Sequence, residues 1–111
     1  MSISKEVAQS LVEYTAKVCG TSYEEVRAYA NEVVKIEMEK GYSMNLSLYG
    51  ALCKYAVLRL PIVNNLTGKP DNTAYNALFQ HLYAELDINT EFKEYFRFRQ
   101  DAVAGLISEK T

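Results

Sequence analysis

A chain of 111 residues, 49% of them apolar, suits a single domain over 1–111 with one core, and that composition excludes a disordered chain. The formal net charge of −2 gives no global pull toward nucleic acid or an anionic membrane. The charge is uneven, however: no acidic residue lies between Lys40 and Asp71, whereas Lys54, Arg59 and Lys69 do.

The opening MSISKEVAQSLVEY has no apolar run of the secretory kind, so the expected compartment is the cytoplasm. The first helix is expected from about Lys5 to Cys19, with Ser4 as its cap. Val7, Leu11, Tyr14 and Val18 recur at three and four, with Ala8, Thr15 and Cys19 beside them, which defines one apolar face. Gly20 supplies the stop, because a left-handed residue after a helix costs glycine least.

Ser22-Tyr-Glu-Glu25 has capping-box spacing and opens a second helix that ends at Gly41. Val26, Tyr29, Ala30, Val33 and Ile36 form its expected buried face, opposite Glu24, Arg27, Asn31, Glu32, Lys35 and Glu39. Glu37 projects onto the apolar side. In the last turn it is expected to reach solvent; the other option is a buried pairing, with Arg99 as the leading partner.

The stretch Leu46–Leu60, LSLYGALCKYAVLRL, is apolar around most of a helix and stops at Pro61. A membrane span needs ~20 apolar residues. This stretch is shorter and carries Lys54 midway, so it is the central core helix and no membrane association is expected. Leu48, Tyr49, Leu52, Cys53, Tyr55 and Ala56 share a broad face, with Ser47, Ala51, Lys54 and Leu58 opposite, flanked by Gly50. That line of small residues is expected to face solvent, the alternative being close approach of a neighbour.

Residues 61–72, PIVNNLTGKPDN, carry two prolines, a glycine and three asparagines, and form a connection longer than helix bundles usually need. A fourth helix is expected over about Thr73–Leu86, capped by Asp71 or Asn72, with Tyr75, Leu78, Phe79, Leu82 and Leu86 inward. A fifth is expected over about Glu91–Ser108, with Phe92, Tyr95, Phe96, Val103, Leu106 and Ile107 inward and Arg99 among them. No alternating strand pattern occurs. The expected fold is therefore an all-α, compact five-helix bundle around the central helix at about 46–60.

No residue set carries recognisable chemistry. A di-iron bundle needs Glu-x-x-His on two helices, but the one histidine, His81, has Leu78 three positions before it. His81 is expected half-exposed and paired with Glu85. Cys19 and Cys53 lie 34 positions apart without metal spacing and are expected as reduced, buried thiols, a disulfide being the lesser option. Thr67-Gly68-Lys69-Pro70 lacks the flanking residues of a phosphate loop. Capping and solvation account for the glutamates of the second helix. No enzymatic activity, catalytic residue, metal or cofactor is expected.

Ala16-Lys-Val-Cys-Gly20, with Val26 and Tyr29 beyond it, resembles the helix-turn-helix pattern, which implies a small DNA-binding regulator. A recognition helix presents its first turn to phosphates and base edges, and this one would present Glu24 and Glu25. The leading expectation is instead a partner protein, with a homodimer also compatible. Nine tyrosines and no tryptophan suit that reading, since tyrosine offers contact area with a polar tip. The expected partner-binding residues are Asn64, Asn65 and Lys69 in the long connection, or Lys93, Arg97 and the outward Phe98 on the last helix.

Overall fold

The computed structural model describes residues 4–59 and 73–88, the second segment with side chains from Asn76 onward. These form α1 (Lys5–Cys19), α2 (Tyr23–Glu39), α3 (Met44–Arg59) and α4 (Thr73–Glu85), and no strand occurs among them. The fold is thus all-helical, with four helices where five were expected. The expected fifth helix and the 61–72 connection lie outside the described residues, as does the outcome for Arg99.

The helix ends follow from local backbone chemistry. Ser4 Oγ accepts from the Val7 N–H at 3.2 Å, which satisfies one of the free donors of the first turn. After Cys19, Gly20 turns left-handed at φ 68. The Thr21 N–H then reaches the Ala16 carbonyl at 2.9 Å and the Gly20 N–H that of Lys17 at 3.3 Å, the paired closure of a Schellman motif. The same device ends α2. Gly41 sits at φ 99, the Tyr42 N–H donates to the Glu37 carbonyl at 3.3 Å and the Gly41 N–H to Met38 at 3.0 Å. Ser43 then starts α3, its Oγ accepting from the Leu46 N–H at 3.2 Å.

Both connections are therefore a few residues long. They fold α2 back along α3, so that the start of one lies beside the end of the other: Glu25 of α2 meets Arg59 of α3. α3 is the hub. It packs against each of the other three helices, most extensively α2, and every residue from Asn45 to Leu52 is buried, with Tyr55 and Ala56. A helix with one neighbour buries a stripe; an unbroken buried run requires neighbours on all sides. The core around it comes from Leu11, Val12 and Ala16 of α1, Val26, Ala30 and Val34 of α2, and Leu78 and Leu82 of α4.

The small-residue line of the central helix is not a solvent strip. Ser47 and Ala51 are fully buried and Gly50 is buried. Lys54, on the same line, reaches Glu37 of α2, so it is against α2 that this line lies. Small side chains let the two backbones approach closely.

Leu86 and Ile88, just past α4, are fully buried. Asp87 between them turns left-handed at φ 54, a conformation that aspartate tolerates better than most residues. There the Leu86 carbonyl accepts from Asn45 Nδ2 at 3.1 Å, joining the end of α4 to the start of α3 across 41 positions. Replacing a buried donor leaves its acceptor unsatisfied at a cost of about 1–3 kcal/mol. Asn45→Ala is therefore expected to lose stability in that range by urea denaturation; an unchanged midpoint would show that this tie carries nothing.

Candidate functional site

The residue that decides what α2 shows to solvent is Glu37. Expected to reach water, it is 3% exposed, and its carboxylate is held by two lysines. Lys40 Nζ donates to Oε1 at 3.4 Å, and Lys54 Nζ lies 3.7 Å from the same oxygen. The second pair spans two helices and has a geometric cause. Side chains lean toward their own helix N-terminus, and in antiparallel helices those leans converge. Glu37 and Lys54, placed too far along to face each other directly, therefore meet between their backbones.

A second clamp holds the other end. The Glu25 carboxylate, expected to close a capping box, does not turn back to its own helix. Ser22 Oγ accepts from the Glu25 N–H at 3.2 Å, but the Glu25 oxygens accept from Tyr55 Oη and from Arg59, each at 3.1 Å. The Arg59 guanidinium lies 5.6 Å from the Tyr55 ring centre, and Tyr29 meets that ring edge-on at 5.3 Å. Burial above all, with the Glu25 charge beside it, pushes the Tyr55 phenol above its usual range. The phenol stays protonated and donates.

Held at both ends, α2 is rotated relative to the face its apolar pattern defines. Val26, Ala30, Val34 and Glu37 are buried, Tyr29 and Val33 are half-buried, and Ile36, expected inside, is 51% exposed. Adjacent residues have traded places: the charge is in and the isoleucine is out. Tyr29, Val33 and Ile36 recur at four and three along one edge of the helix, where Tyr29 and Val33 pack partly against the core and Ile36 stands open to water. Glu32 lies three residues from Tyr29 and four from Ile36, and Glu39 three from Ile36, so both acids border that edge, with the exposed Lys35 between them, three residues from Glu32 and four from Glu39. Each acid is exposed, and among the described residues neither is in an ion pair.

A second feature lies between α1 and α4. A shallow groove of about 300 Å³ is lined by Glu6, Val7, Ser10, Leu11, His81 and Glu85. The His81 ring packs on Tyr14, with centroids 4.3 Å apart, and among the described residues it forms no ion pair with Glu85. That contact replaces the expected pairing. Cys19 and Cys53 are free rather than bridged, and burial raises both thiols above their usual range, which leaves them poor nucleophiles.

The expected partner-binding residues Asn64, Asn65, Lys69, Lys93, Arg97 and Phe98 all lie outside the described residues. In the segment resembling a helix-turn-helix, the first turn of α2 presents Glu24, paired with Arg27 at 3.5 Å, and Glu25. Carboxylates stand where a phosphate backbone would come. Among the described residues no helix is long and apolar enough to cross a membrane. The open edge was hidden from sequence reasoning because its three residues look like core. The available signal was Lys54, an isolated charge in an apolar helix that needs a carboxylate from a neighbour.

No protein-family model, curated protein or solved structure matches the chain.

Proposed function

We propose that this is a small helical protein that acts by contact with another protein, as an adaptor, regulator or inhibitor, and that the open edge of α2 is where the contact is made. One observation carries this reading. A helix clamped at both ends by cross-helix ion pairs holds Ile36 in water while burying the adjacent carboxylate. Burying a large aliphatic side chain stabilises a fold by about 1.5–3 kcal/mol, so an isoleucine kept outside at such an exchange is suited to burial elsewhere. A compact five-helix form, with the fifth helix over about 91–108, and a cytoplasmic setting remain part of the proposal.

The test is Ile36→Lys in the full chain. Because Ile36 is half in water, thermal unfolding is expected to be nearly unchanged, while recovery of the native partner on the tagged protein falls sharply. Undiminished recovery, combined with loss in either Asn64→Ala/Asn65→Ala/Lys69→Glu or Phe98→Ala, would move the contact to the long connection or the last helix.

A further inference from the structure

We draw no further inference here: the strongest candidate, the shallow groove between α1 and α4 that Glu6 and Glu85 line beside His81, carries nothing because both carboxylates are exposed and nothing among the described residues points to a metal ion or another ligand there.

Discussion

Truncating Leu52 to alanine is expected to lower the free energy of unfolding by about 2–5 kcal/mol, the range for a buried leucine whose neighbours cannot close the space. Leu52 is fully buried in the middle of α3, the helix on which α1, α2 and α4 all pack. Their collapse into a cavity is limited because each is held at its ends: α1 and α2 by glycine-closed turns, and the end of α4 by the Asn45 contact. The paired control is Leu58→Ala on the same helix, 46% exposed, which should stay within about 0.5 kcal/mol. Urea denaturation of both variants decides the point. Equal midpoints would mean that α3 is not the organising element.

The second large effect is at the Glu37–Lys54 pair. Breaking a buried pair by removing one partner costs about 3–5 kcal/mol, because the other charge is left without compensation. Lys54→Met is expected at the low end of that range, since Lys40 still reaches Glu37. Glu37→Met should cost less. The orphaned Lys54 can extend its stem and carry the ammonium to water, whereas a carboxylate whose side chain is 4% exposed has no such route. The double variant should recover most of the loss, because apolar replacement of a whole buried pair is often neutral or stabilising. Denaturation of the three variants measures this directly. A double variant no better than Lys54→Met would refute pairing as the reason Glu37 is buried.

That exchange marks the boundary of what could be read from residues alone. The bounds of α1 were legible to the residue, because a cap at Ser4 and a glycine stop are local, whereas its buried face, Leu11, Val12, Thr15 and Ala16, only partly overlaps the expected one. α2 had an equally local start at Ser22 and stop at Gly41. The character of α3 was also legible: a short run with almost no polar face can only be surrounded. What surrounds it was not, and the Ser47–Ala51 line was expected in water although it lies against α2.

The chemistry of Glu25 and the rotation of α2 depended on partners 34 and 17 positions away, Arg59 and Lys54. From the chain alone, Glu25 has a sufficient local role as the far half of a capping box, and Ile36 a sufficient local role as core. The apolar residues of α2 cover a wide arc, with Tyr29, Val33 and Ile36 on one side and Val26, Ala30 and Val34 on the other, so more than one rotation about the helix axis buries apolar side chains. Hydrophobic periodicity is nearly indifferent among them. An ion pair between helices is not, because it has one geometry, and at the buried Glu37 carboxylate it carries a heavy cost when unmade. The local pattern thus determined that α2 exists, where it begins and ends, and that it packs. Only the tertiary structure, through two charge pairs between helices, decided that Glu37 goes in and Ile36 stays out.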